Sequence, residues 1–260
     1  MRPYACLLAL AGTTALADVW TPPAQPDPRA ILTEAGEDRR AGRYAVALAK
    51  HEWFHDHAVA VDPGMGGVRL SFALADWQEL AKEYLPARVK LEAKRAGARQ
   101  TVIAALDPES TFDAFHDYAA ISGVLGDEGA TKDLFVTMER GHPDMAKMLL
   151  LIARPALVRA KEYLLIGKYI DPDTDFERLV EAYRGQERMA RDPRFGAEMA
   201  VFARKMFANE AATMVALLAV NGRTDEAGAI DTQARAVLDD AEFRATLDEA
   251  LRGAVPDPWP

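Results

Sequence analysis

The chain has 260 residues, of which 31 are Lys or Arg and 40 are Asp or Glu, and its formal net charge is −9 at pH 7. This acidic balance argues against a nucleic-acid surface and against a polybasic membrane patch, because both need clustered basic side chains. The length is sufficient for one or two domains with a hydrophobic core.

Residues 1–17 have the pattern of an export signal. Arg2 gives the beginning of the chain a positive charge, a short apolar stretch follows, and small residues end at Ala17. We therefore expect cleavage before Asp18 and a mature protein in the periplasm or outside the cell. The single cysteine, Cys6, lies in this signal, so we expect a mature chain without disulfides.

The remainder of the chain is expected to be all-α. Residues 18–27 form a Pro-rich extended lead-in, residues 253–260 form an extended C-terminal tail, and residues 28–252 form a helical-repeat domain. In this domain apolar residues recur three and four positions apart, without an alternating strand pattern. No later stretch reaches the roughly 18 uninterrupted apolar residues of a membrane-spanning helix, so we expect none.

Apolar spacing and the positions of Gly, Pro and Asp predict the individual helices. Pro143 and Pro155 are each predicted to begin a short helix, because proline suits the first turn. Asp175 is predicted to cap another helix. The predicted helices cover about 28–40, 43–61, 68–83, 86–106, 111–125, 127–140, 143–154, 155–170, 175–191, 195–220, 224–239 and 241–252.

Four connections between predicted helices have similar sequences. In most of them a residue that ends a helix is followed by two polar residues and then by a new helix. They cover residues 41–48, 125–128, 159–163 and 221–227. Gly126 of the second elbow and Ala160 of the third elbow are 34 residues apart in the sequence.

The first elbow resembles the tetratricopeptide-repeat family, whose repeat length is 34 residues. Gly42, Tyr44, Ala47 and Leu48 have the spacing of the family's Gly-x-Tyr-x-x-Ala-Leu stretch. The resemblance implies a right-handed superhelical array of antiparallel helix hairpins that binds proteins or peptides on its concave face. It extends loosely over the helical domain with irregular intervals, and an irregular helical bundle is the alternative.

The chain departs from that family within the second predicted helix. Where the family usually has an aromatic and then a small residue, this chain has His51 and Phe54. His51-Glu52-Trp53-Phe54-His55 matches His-Glu-x-x-His and resembles the zincin metallopeptidases. That resemblance implies His51 and His55 as zinc ligands and Glu52 as general base.

Helical spacing offers a second interpretation of the same residues. His51, Phe54 and His55 lie on the apolar face of this helix, whereas Lys50 and Glu52 lie on its flanks. A third zinc ligand and a substrate-binding strand are both missing from the pattern. The two histidines are therefore interpreted as semi-buried core residues, each hydrogen-bonded to a neighbouring helix.

Trp53 and Trp77 are candidate partner-binding residues, and packing between hairpins is the alternative for both. The favoured function is an exported module that binds a protein or peptide without catalysis and without a cofactor. A zinc-dependent peptidase using His51, Glu52 and His55 is the first alternative, and a purely structural protein is the second.

Overall fold

A computed structural model describes residues 20–192 and 196–259, and over these ranges the chain is helical with no β-strand. The all-α prediction is therefore confirmed. The predicted export signal, including Cys6, lies outside the described residues. Across the described part of the chain, no helix combines the length and the apolar character needed to cross a bilayer.

The described residues form two compact units, one ending at Gly97 and one beginning at Ala98. The helices of the first unit are α1 Pro28–Arg40, α2 Tyr44–Val61, α3 Gly66–Leu70 and α4 Phe72–Glu83, and α5 Leu85–Ala104 crosses the boundary. The helices of the second unit are α6 Pro108–Val124, α7 Glu128–Gly141, α8 Pro143–Arg159, α9 Tyr163–Gly167, α10 Pro172–Ala190, α11 Gly196–Val220, α12 Thr224–Val237 and α13 Ala241–Ala250.

Asp-Pro dipeptides begin three of these helices. Asp27 accepts a hydrogen bond from Arg29 N at 2.9 Å, and Asp107 accepts one from Ser110 N at the same distance. In each pair the aspartate caps unpaired N–H groups and the proline occupies the first helical position, where no N–H is needed. The third pair is Asp171-Pro172.

Two predicted helix starts are corrected by these caps. The helix predicted from residue 111 begins at Pro108, and the helix predicted to be capped by Asp175 begins at Pro172. Asp175 instead lies in the first turn, where its Oδ2 accepts a hydrogen bond from Asp171 N at 3.0 Å.

Two other helix predictions differ from the structure. The single helix predicted over residues 68–83 is interrupted at Ser71, whose hydroxyl donates to Gly67 O at 2.7 Å. Pro155 does not begin a helix, because α8 runs through it. Proline at this position leaves the carbonyl of Leu151 without its helical partner, and Leu151 lies on the solvent side of α8 with 70% of its surface exposed.

The four similar elbows have one backbone conformation. Each contains one residue with positive φ, and the next residue's N–H donates to the carbonyl five positions earlier, which is the Schellman pattern for ending a helix. The positive-φ residues are Gly42 (75°), Gly126 (73°), Lys161 (59°) and Gly222 (74°). The closing bonds are Arg43 N to Asp38 O, Asp127 N to Ser122 O, Glu162 N to Leu157 O and Arg223 N to Leu218 O, at 2.8–3.0 Å.

The next helix begins two residues after the positive-φ residue in every case. The structural equivalent of Gly126 is therefore Lys161 and not Ala160, so the 34-residue interval does not relate equivalent positions. Five residues after each positive-φ position lies a buried side chain at the base of the hairpin. These side chains belong to Ala47, Thr131, Ile166 and Ala227.

In the second unit, the fourth elbow is tied to the hairpin before it by side-chain hydrogen bonds. Asn221 Nδ2 donates to Tyr163 O at 3.0 Å, and Arg223 Nη1 donates to Ile170 O at 3.0 Å. The approach is so close that a Cβ on Gly167 would lie 2.2 Å from Asn221 Oδ1. Successive hairpins in this unit therefore pack against each other.

Aromatic residues occupy the cores of both units. In the first unit Trp77 and Phe54 are each 1% exposed. In the second unit the Phe207 ring of α11 lies 4.9 Å from that of Tyr183 and 5.9 Å from that of Phe243. These contacts join α10 and α13 to α11, which also packs against α12.

Candidate functional site

The two histidines of the His-Glu-x-x-His pentapeptide lie in the core of the first unit. His51 is 2% exposed and His55 is 9% exposed, and both belong to α2. The apolar face predicted from helical spacing is confirmed, because Ala47, Phe54 and Ala58 are buried with them. Helical periodicity is therefore sufficient to explain why both imidazoles point inward.

Trp77 of α4 packs against both imidazole rings. Its ring centroid lies 6.0 Å from that of His51, with the planes 20° from parallel, and 6.0 Å from that of His55, which it meets edge-on. The indole Nε1 donates to Ala87 O at 3.0 Å. The shared neighbour of the two histidines is thus an aromatic ring that cannot ligate a metal.

The interpretation of His51 as a hydrogen-bonded core histidine is wrong. Neither its Nδ1 nor its Nε2 has a hydrogen-bond partner within the described part of the chain. Stacking on Trp77 takes the place of the expected polar contacts. His55 is in a different environment, since Arg69 Nη1 lies 3.4 Å from its Nε2.

Burial strongly favours the neutral form of His51. Removal from water, with a smaller effect from the positive charge of Arg39, lowers the pKa of His51 to about 4. The ring is therefore uncharged at pH 7, where it carries one donor and one acceptor that are both buried.

The surroundings of the pentapeptide do not fit a catalytic zinc ion, which needs three protein ligands and a correctly aimed general base. Among the residues that the structure describes, no group of three His, Cys, Asp or Glu side chains converges to hold a metal. Glu52 Oε1 lies on the flank of α2, 3.1 Å from Lys90 Nζ.

A buried ion pair beside His51 was not predicted. Lys50 is 6% exposed and its Nζ lies 2.8 Å from Asp38 Oδ2 of α1, whereas helical spacing predicted a flanking position for Lys50. Burial raises the pKa of Asp38, but hydrogen bonds from Lys50 and Arg43 outweigh that effect and the pKa lies below its usual value. The pair connects α1 and α2.

The two candidate tryptophans occupy different environments. Trp77 is 1% exposed and lies in the core, so it offers almost no surface to a partner. Trp53 is half-buried, with its ring 6.4 Å from that of Trp20 in the lead-in and 5.8 Å from that of His57. Partner binding by Trp53 stays a prediction.

The second unit has an open groove of about 550 Å³ between α10 and α12. Phe176 and Val180 contribute from α10, and Ala236 and Val237 contribute from α12. Phe176 and Val180 belong to the hydrophobic core of this unit, so the core reaches the floor of the groove. A groove with an apolar floor can accept apolar side chains of another molecule.

An acidic ridge borders this groove on α10. Asp173, Glu177 and Glu181 are exposed and follow one another at four-residue intervals, so they lie on one side of the helix. None of the three carboxylates forms an ion pair with another described residue. Arg184, one turn further, is the basic side chain of the lining. The lining of the groove therefore combines an apolar floor with more acidic than basic side chains.

This groove was not predicted from the sequence. The four-residue spacing of Asp173, Glu177 and Glu181 was visible in the sequence, beside the equally spaced Phe176 and Val180. Such a pattern also describes an ordinary amphipathic helix. Only the position of α12 beside it distinguishes a groove from a solvated helix face.

Comparison with protein-family models, with curated proteins and with solved structures gives no match to this chain.

Proposed function

We propose that this chain is an exported helical-hairpin protein that binds a segment of a partner protein in the groove between α10 and α12, without catalysis of its own. The observation that carries the proposal is the groove with an apolar floor beside the carboxylates of Asp173, Glu177 and Glu181, which form no ion pair with another described residue. Opposite charges across an interface favour association and select among partners. The expected ligand is therefore a basic amphipathic segment.

The four elbows of common geometry support the resemblance to tetratricopeptide repeats. We infer that the hairpins form an irregular, right-handed array of that type. At every elbow one helix ends and the next begins with the same backbone conformation. Arrays of stacked hairpins form extended surfaces suited to partner segments.

Export is part of the proposal and depends on residues 1–17 alone. A periplasmic or extracellular protein should begin at Asp18 after processing. Intact mass of protein recovered from the envelope fraction checks this expectation, and a retained Met1 in that fraction would contradict it.

Selection of displayed random peptides on the intact protein tests the proposed binding site. Enriched peptides are expected to combine Lys or Arg with apolar residues at helical or alternating spacing, because the groove pairs both features. Enrichment of acidic peptides, or of none, would contradict the proposal. The selected peptides also provide the probe for a direct test of the groove residues.

A further inference from the structure

The segment that follows α13, residues 254–259, lies extended along α11. It begins near the C-terminal end of that helix, where a Cβ on Gly253 would lie 3.1 Å from Val220 Cγ1. It reaches Asn209 and Lys205, about three and about four helical turns back along α11 from Val220. At about 1.5 Å per helical residue, positions 220 and 205 are roughly 22 Å apart, which about seven extended residues at about 3.1 Å each can span. The segment therefore runs antiparallel to α11.

Asn209 holds the main chain of this segment with both ends of its side-chain amide. Its Nδ2 donates to Asp257 O at 2.8 Å, and its Oδ1 accepts from Trp259 N at 3.1 Å. Both bonds involve backbone groups two residues apart, so they recognise an extended conformation independently of the side chains. Paired contacts of this kind suit any extended segment that has a free N–H two residues after the bonded carbonyl.

The side chains of the segment supply the remaining contacts. Val255 packs against both hydrophobic clusters of the second unit. Lys205 Nζ lies 5.5 Å from the centroid of the Trp259 ring, within the range of a cation–π contact. The prolines at 256 and 258 favour the extended conformation and lower the entropy lost on docking.

One contact in this arrangement is imperfect. Trp259 Nε1 is buried and has no hydrogen-bond partner among the described residues. An indole N–H that loses water without gaining an acceptor weakens the docking of its ring. The segment is thus bound specifically through Asn209, but the unpaired indole N–H makes its docking weaker than that of a fully hydrogen-bonded segment.

We propose that this face of α11 is a binding site for an extended, Pro-flanked aromatic peptide, and that residues 254–259 occupy it in cis as an exchangeable strap. A free peptide of the sequence Ala-Val-Pro-Asp-Pro-Trp-Pro competes with the strap for Asn209 and Lys205. The site is separate from the groove between α10 and α12, so the proposal does not depend on the function assigned to that groove.

The test titrates this fluorescently labelled peptide into the full chain and into its Trp259→Ala variant. Weakening the strap is expected to increase the affinity for the free peptide by at least about tenfold, as expected when a buried aromatic contact is removed from the competing segment. A peptide with glycine in place of both inner prolines is expected to bind more weakly than the original. Failure of the Trp259→Ala variant to bind the peptide better than the unmodified chain would overturn the proposal.

Asn209 provides the second arm of the test. In the Trp259→Ala background, Asn209→Ala is expected to weaken peptide binding by at least about tenfold, whereas Glu242→Ala on the exposed face of α13 leaves it unchanged. Asn209→Asp removes the donor while preserving size, and serves if the alanine variant fails to fold. Equal binding by the Asn209 variants and the control would overturn the proposal. A dimer that free peptide dissociates would overturn the cis arrangement, since the strap would then lie on a second copy.

Discussion

At the scale of single residues, His51 is the clearest departure from what its position favours. The tetratricopeptide pattern has an aromatic residue there, and the structure gives His51 an aromatic neighbour, Trp77, at stacking distance. The imidazole fills the site as an apolar ring would, but it also buries two nitrogen atoms that have no hydrogen-bond partner among the described residues. Removing such groups in favour of an apolar ring of similar shape is neutral or stabilising.

Acid is expected to destabilise the first unit through His51. Its pKa of about 4 in the folded chain lies below the value of about 6.5 in an unfolded chain, so between these values only the unfolded state binds a proton. The free energy of unfolding should therefore fall by about 3 kcal/mol as pH decreases from 6.5 to 4. Urea unfolding followed by tryptophan fluorescence across this range measures the slope.

His51→Phe is the matched variant for that measurement. It should remove the slope between pH 6.5 and 4 and raise stability at pH 7 by about 1 kcal/mol, because the unpaired nitrogen atoms are lost. His57→Gln, which removes an exposed imidazole from the same helix, should leave the slope in place. An unchanged slope in the phenylalanine variant would refute the assignment. Asp38 contributes a further loss only at lower pH, since its folded pKa lies below its usual value.

The sequence predicted the burial of His51 and His55 but not their polar surroundings. Helical periodicity places a residue on a face, and the two histidines follow that rule. It does not say which atoms the neighbouring helix presents, so neither the stacking of Trp77 nor the missing partners of His51 could be read from spacing. Lys50 was misplaced for a related reason, because a charged residue beside an apolar face is buried only if another helix supplies its counter-ion.

At the scale of elements, the elbows are the feature that the sequence predicted best. Their resemblance in sequence corresponds to one backbone conformation, since three of them place glycine at the positive-φ position. The third elbow is harder to recognise in the sequence, because Lys161 and not glycine occupies that position. The left-handed conformation costs free energy for a residue with a Cβ, but the two flanking helices can impose it.

Reciprocal substitutions in two elbows test this equivalence. Lys161→Gly should stabilise the chain by about 0.5–1 kcal/mol, because it relieves the left-handed conformation, and Gly126→Ala should destabilise it by about 1 kcal/mol. Chemical denaturation of both variants beside the parent chain measures the two effects. Destabilisation by Lys161→Gly would show that the third elbow is not equivalent to the others.

Prolines account for most of the misplaced helix boundaries. Asp107-Pro108 lies between the helices predicted over residues 86–106 and 111–125, although an aspartate cap followed by proline begins a helix. Pro155 was interpreted as a start, although a proline can lie within a helix when the carbonyl it leaves unpaired faces solvent. Both ambiguities depend on tertiary surroundings that local sequence does not contain.

At the scale of the whole molecule, the sequence predicted an all-α chain and named Trp53 and Trp77 as candidate binding residues, but it did not indicate the groove between α10 and α12. The groove exists because α10 and α12 both pack on α11, and their order in the chain does not reveal that arrangement. The charge of the groove follows the charge of the chain, which is acidic overall. The charge of the groove and the charge of the whole chain therefore both favour a partner segment with basic side chains.

The central claim is tested most directly by the affinity of a selected basic peptide for groove variants of the intact protein. Glu177→Lys combined with Glu181→Lys should weaken binding by at least about tenfold, because attraction is replaced by repulsion on the acidic ridge. Glu37→Lys combined with Glu249→Lys makes the same change in net charge at exposed positions that do not line the groove, and should leave the affinity within about twofold. Equal weakening by the two double variants, or no weakening by the first, would contradict partner binding in the groove between α10 and α12.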